Sequence, residues 1–271
     1  MKKLMFALAT AAALVGMADI ESANTVGFTT KSITPDQYYL IGTQFQGVGA
    51  DAQIEMSKLL TLQGVKAVGF DDMIEQGAEI LVLSGVNYKH YYLINDAFDA
   101  DDNPVEGAVW ADLDGYVITP EDVFSLGQGF WLKIPSAVCG EAPTVTVAGE
   151  VTPAADYSIN VAGNADGSYA IISNPYPVDA DLSLITVTGL TAVGFDDMID
   201  AGNEVLVLSG VNYKHYYWIN DAFDSNDDPV EGEVWADLDG YVVTDADKIS
   251  VGESFWFRAR QNGSLKFSLA K

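Results

Sequence analysis

The sequence predicts an all-β protein made of two tandem antiparallel domains, sandwich or barrel-like, each with one short helical turn. Three observations predict it. Residues 68–119 recur at 193–244 without a gap, with roughly four-fifths of positions identical. Apolar and tyrosine-rich runs alternate with Gly, Asn and Asp turns at a spacing of about ten residues, the rhythm of strands in a sandwich or barrel. Only one stretch per copy carries a helical capping order. Two copies of this length are tandem domains rather than a solenoid, which stacks three or more short units.

The elements follow in chain order. Lys2 and Lys3 precede an apolar run over residues 4–15, with small residues at Gly16 and Ala18. That order predicts a signal peptide over residues 1–18, cleaved after Ala18. The run is too short to span a bilayer. The first β-domain is expected over 19–147 and the second over 148–271. Residues 20–33 read as a strand that pairs within its own domain or adds to a neighbouring sheet edge. Residues 71–77 and 196–202 have Asp at the start and Gly at the end, the order of a capped helical turn. Residues 79–83 and 204–208 are short apolar strands ended by Ser-Gly. Residues 87–94 carry three tyrosines and read as a strand. Residues 109–113 alternate before Asp114-Gly115, a tight-turn signal, and residues 116–118 should continue as the next strand. A Gly-x-x-Phe-Trp turn opens the following strand in both copies, at Gly127–Trp131 and Gly252–Trp256. Residues 144–147 and 265–269 close the copies. Trp110, Trp131, Trp235 and Trp256 are expected in the cores.

Charge narrows the function classes. The chain carries 13 Lys and Arg against 39 Asp and Glu, a formal charge of -26. Removing the leader takes away two lysines, leaving about -28. Nucleic acid requires a basic footprint and is excluded as a partner. Anionic lipid is excluded on the same ground, and no membrane insertion is expected. Cationic partners and divalent metal remain. Cys139 is the sole cysteine, so no internal disulfide forms. It reads as an incidental thiol or as one half of an intermolecular disulfide.

Two candidate sites fall inside the repeated block. The acid-rich loop places Asp99, Asp101 and Asn103 at every second residue, and Asp224, Asn226 and Asp228 do the same in the second copy. Such spacing can converge oxygens on calcium, which takes six to eight of them. Pro104 and Pro229 stand where a helix–loop–helix calcium site needs glycine, so that motif is absent. The competing reading is a solvated turn, because Asp and Asn are ordinary turn formers. The aromatic strand offers Tyr88, Tyr91 and Tyr92, with Tyr213, Tyr216 and Tyr217 in the second copy. Flat rings with polar tips suit a surface glycan or a protein interface, and equally suit a core edge. Period-two alternation puts Tyr88, His90 and Tyr92 on one face and Tyr91 on the other. One histidine per copy is a poor zinc site. The sequence lacks Gly-x-Ser-x-Gly, His-Glu-x-x-His and a phosphate-cradling loop. No catalytic residue is assigned.

The leader followed by residues 21–28, the Ile172-Ser173-Asn174-Pro175 strand end and the two Gly-x-x-Phe-Trp turns resemble secreted, uncharacterised tandem β-repeat proteins of verrucomicrobial and lentisphaeral-type bacteria. The resemblance implies export and a β-domain fold, and no activity. The expectation is therefore a non-catalytic protein of the cell surface or exterior, or of the periplasm. It is structural or interacting, self-assembling, with calcium-stabilised loops. The alternatives are a carbohydrate-binding module or adhesin and, more remotely, a glycan hydrolase on a carboxylate pair.

Overall fold

A computed structural model describes residues 25–47, 53–119 and 122–269. The expected signal peptide lies outside the described residues. Among the described residues the protein is all-β, with only short helical turns; these exceed the one per half that the sequence predicts, since Met56–Leu59, Ser136–Val138 and Leu182–Leu184 also form single turns. Its first half contributes β1 (Val26–Ser32), β2 (Tyr38–Gly42), β3 (Gln53–Glu55), β4 (Leu60–Val65), β5 (Glu79–Ser84), β6 (Asn87–Ile94), β7 (Val109–Ala111), β8 (Val123–Ser125), β9 (Gly129–Lys133) and β10 (Cys139–Glu150). The second half contributes β11 (Asp156–Val161), β12 (Ser168–Ser173), β13 (Ala180–Asp181), β14 (Thr186–Thr188), β15 (Glu204–Ser209), β16 (Asn212–Ile219), β17 (Val234–Ala236), β18 (Lys248–Ile249), β19 (Ser254–Ala259) and β20 (Gly263–Ser268).

The same topology appears twice. In the first half a five-stranded sheet has the order β2-β9-β5-β6-β7, a three-stranded sheet β1-β10-β4, and a small pair β3-β8. The second half matches it with β12-β19-β15-β16-β17, β11-β20-β14 and β13-β18. The strand pairings within these sheets are antiparallel, for example Ile80 with Tyr91 and Leu132. Residues 26–32 pair with β10, within their own half.

Alternation along the strands builds a sandwich-like core. Ile80, Tyr91, Phe130 and Leu132 of the large sheet pack toward Val145 and Val147 of the three-stranded sheet. Val205, Tyr216, Phe255 and Phe257 face Leu265 and Phe267 in the second half. Burying each such side chain contributes about 1.5–3 kcal/mol. The β5–β6 hairpin turns on Gly85-Val86, with Ser84 paired to Asn87. Gly85 has φ +64°, the left-handed first position that a II′ turn demands and glycine adopts without strain.

The expected helical turn forms as a 3-10 turn at Phe70–Asp72 running into Met73–Gln76. Gly77 ends it by donating its N–H to the Met73 carbonyl at 2.8 Å. Its leading aspartates make no cap. The Phe70 N–H instead donates to Asp96 Oδ1 at 2.7 Å, a residue on the far side of β6. Met73 then packs on Tyr92 and Ile94 in a second, smaller cluster, and Met198 repeats this with Tyr217 and Ile219. The strand expected at 116–118 reduces to isolated bridges, Phe98 to Tyr116 and Ala111 to Val117. Asp112 accepts the N–H groups of Asp114 and Tyr116 and closes that turn on itself.

Candidate functional site

The outer faces of the two large sheets meet in a quasi-symmetric junction. The Gly42 N–H donates to the Gly252 carbonyl at 3.0 Å, and the Ser173 N–H donates to the Gly127 carbonyl at 2.8 Å. Gly42 and Ser173 are equivalent positions at the ends of β2 and β12, as Gly127 and Gly252 are in the Gly-x-x-Phe-Trp turns. Residue i of one half thus contacts j of the other, and j contacts i, the mark of an isologous interface. Ser254 Oγ adds a bond to the Ile41 carbonyl at 2.8 Å. Lys31 pairs with Glu253 at 3.0 Å.

An aromatic row crosses the junction. Tyr38 meets Trp131 edge to face, Trp131 faces Trp256, and Trp256 meets Tyr169 edge to face. The core expectation for the four tryptophans is corrected here. Trp110 and Trp235 are core residues, whereas Trp131 and Trp256 are half-buried on the outer faces. The physical reason is strand alternation. Phe130 and Phe255 fill the core, so the next side chain points the other way. The ladder neighbours Leu40 and Ile171 share that outer face and are buried, Ile171 against Gly129 of the opposite half.

Where the two faces diverge, a groove of about 940 Å³ opens between the halves. The first half supplies Leu83, Val86, Tyr88 and the turn at Gly127–Gly129. The second half supplies Tyr169, Leu206, Tyr213 and Trp256, with Asn160, Asn164 and Ser168 at the polar positions. Among the described residues, no Asp, Glu, Lys, Arg or His lines it. Glycine is required at the hinge of this wall: a Cβ on Gly129 would stand 2.4 Å from Ile171 Cγ2 and from Ser254 Oγ.

The six tyrosines of the aromatic strands separate into three environments. Tyr88 and Tyr213 line the groove. Burial pushes the Tyr88 phenol above its usual range; its hydrogen bond with the Trp131 side chain opposes this and Tyr213 adds to it. Tyr91 and Tyr216 lie in the cores and donate to Asp122 and Asp247, each at 2.9 Å. Tyr92 is buried and donates to Glu79 Oε1 at 2.7 Å, beside His90 Nδ1 at 2.8 Å from the same oxygen. Glu204 repeats this with His215 and adds Arg258 Nε at 3.1 Å. The histidines therefore serve buried glutamates. Tyr169 and Trp256 belong to the groove and were not among the candidate ligand residues. The signal for Trp256 was the Phe-Trp dipeptide itself.

The acid-rich loops are turns built on one carboxylate. Asp99 Oδ1 accepts the N–H groups of Asp101 and Asn103, each at 2.9 Å, and Asn103 Nδ2 approaches both Asp99 oxygens at 3.2 Å. Asp224 accepts those of Asn226 and Asp228 at 2.8 and 3.0 Å. These bonds hold the Asp99 and Asp224 carboxyls below the usual carboxylate range. Asp102 and Asp227 adopt positive φ and accept the hydroxyls of Tyr116 and Tyr241. Among the described residues, no three His, Cys, Asp or Glu side chains gather as a metal-binding group. The Cys139 thiol is half-buried and donates to the Pro135 carbonyl. Burial, then Asp36, pushes it above the usual thiol range. Among the described residues no helix is long and apolar enough to cross a membrane. Compared with known protein families and with curated proteins, the chain matches no family model and no curated protein.

Proposed function

We propose that this is a non-catalytic, exported binding protein of the cell surface or exterior, and that its ligand sits in the groove between the repeats. The observation that carries this reading is that one concave site is walled by both halves. Ligand sites favour such junctions: largely apolar clefts with a few placed polar groups. The locked junction supports it, because a rigid wall presents its rings without an ordering cost at binding. Titration of the mature chain with saccharides, peptides and neutral small molecules, followed by tryptophan fluorescence, tests it. Ligands should shift the wild-type signal and lose affinity in the Tyr169→Ala and Tyr213→Ala variants. Ligands that bind those variants equally well would place the site elsewhere.

A second reading, self-association, has one specific observation behind it. β1 is the edge of its sheet, and Val26 and Phe28 are each 73% exposed on it. An open edge with outward apolar side chains can pair with a second copy. Sedimentation of wild type and Phe28→Lys decides it: a shared monomeric mass would remove this reading.

A further inference from the structure

We infer that the occupant of the groove is an uncharged oligosaccharide. This rests on the reading of the groove as the ligand site and adds the chemical class. The argument begins with charge. The chain has 39 acidic and 13 basic side chains, yet none of them is among the described residues that line the groove. A ligand with a formal charge would meet no charged side chain among the described lining residues; the guanidinium beside them, Arg260 at Gly167, donates to the Ala165 carbonyl, and a desolvated, unpaired charge is costly. The surrounding acidic surface also repels anions before they arrive. Acidic polysaccharides, nucleotides and fatty acids are therefore disfavoured by the site and by the field around it.

The lining then separates a sugar from a purely apolar ligand. Tyr88, Tyr169, Tyr213 and Trp256 combine flat apolar faces with polar tips. Sugar rings have the same division, with C–H faces and hydroxyl edges, and stack on such rings. Asn160, Asn164, Ser168 and Gln128 bring amide and hydroxyl groups to the same walls. A hydrocarbon ligand would strip water from these groups and return nothing. The Trp256 ring is held by two neighbours, Tyr169 edge-on at 6.0 Å and Trp131 tilted at 6.5 Å, which restrain it as a platform. Size completes the case. At about 940 Å³ the groove is near the top of the range of about 300–1,000 Å³ for small-molecule sites, more than one sugar ring requires.

The test uses the mature chain and three probe classes: neutral β-linked and α-linked hexasaccharides, acidic oligosaccharides such as oligogalacturonate, and the neutral apolar dye Nile red. Calorimetry and tryptophan fluorescence give the affinity. A neutral hexasaccharide should bind, with affinity unchanged between about 50 mM and about 500 mM salt. Trp256→Ala and Tyr169→Ala should each weaken it by about tenfold or more, the loss of a stacking anchor. Tyr169 is 49% exposed, so its variant remains folded even where the tryptophan variant does not. Binding of only Nile red or only acidic sugars, sensitive to the same variants, would overturn the sugar assignment while leaving the groove as the site. Neutral sugar binding unaffected by both variants, or no binding by any of the three classes, would overturn the groove reading with it.

Discussion

Trp131 and Trp256 occupy equivalent positions in the two repeats and face each other across the junction, ring centroids 6.5 Å apart and planes inclined by 53°. Each is the residue after a core phenylalanine, so each leaves its own core and reaches the other half. The repeated topology thus places two equivalent copies of a self-complementary surface in one chain, where they close on each other. Linking makes this closure intramolecular, at a high effective concentration.

Closure depends on Gly129 having no side chain. A methyl there would overlap Ile171 and Ser254, both on the opposite half. Gly129→Ala should destabilise the protein by about 1–3 kcal/mol, the usual cost of overpacking. It should also loosen the junction, seen as a larger radius of gyration in small-angle scattering. An unchanged urea midpoint and radius would show that the junction yields freely.

The buried glutamates predict an asymmetry between the repeats. Glu204 is ion-paired with Arg258, and their side chains are only 4% and 15% exposed. At the equivalent positions Glu79 relies on His90 and Tyr92, while Lys133 lies over the Tyr38 ring at 5.2 Å. Arg258→Met removes one partner of a buried pair and should cost about 3 kcal/mol or more. Lys133→Met removes a cation–ring contact and should cost about 1 kcal/mol or less. Chemical denaturation of the two variants checks the difference, and equal costs would show that His215 and Tyr217 suffice for Glu204.

Much of this architecture was legible in the sequence. Period-two alternation and Gly and Asp turns marked the strands, because sheet faces and tight turns are local properties of the chain. The face of Tyr88, His90 and Tyr92 followed from the same rule. The groove was not legible, because it joins Tyr88 to Tyr169 and Tyr213, brought together only by closure of the halves. Tyr91 and Tyr92 could not be told from Tyr88 as ligand residues, since their burial depends on the distant partners Asp122 and Glu79. The helix cap was misplaced for a similar reason: Asp71 and Asp72 stood at the right place, but Asp96 reaches the open N–H.

The acid-rich loops hold their shape through Asp99 and Asp224. Asp99→Ala frees the N–H groups of Asp101 and Asn103, and their hydrogen exchange should quicken while the core amides stay protected. The second loop should not respond. Because the loop's own donors already engage these carboxylates, chelation with EDTA should leave the melting temperature unchanged. A fall on chelation, reversed by calcium, would establish the ion as the loops' support.

Asp247 should contribute to acid sensitivity. Burial pushes its carboxyl up, but the N–H and hydroxyl of Thr244 and the Tyr216 hydroxyl outweigh this and hold it below its ordinary value. A carboxyl depressed in the folded state binds fewer protons there than in the unfolded chain. Its contribution is therefore complete above the unfolded value of about 3.8 and is lost as pH falls through the lower folded value. Loss of net negative charge over the same range relieves self-repulsion and acts in the opposite direction. The melting temperature of the wild type alone cannot separate the two. The difference between wild type and Asp247→Asn can, because the global term is nearly common to both. That difference should be constant from about pH 7 to about pH 5 and shrink toward zero below about pH 4. A difference independent of pH down to about pH 2 would show that Asp247 acts through packing and not through its charge.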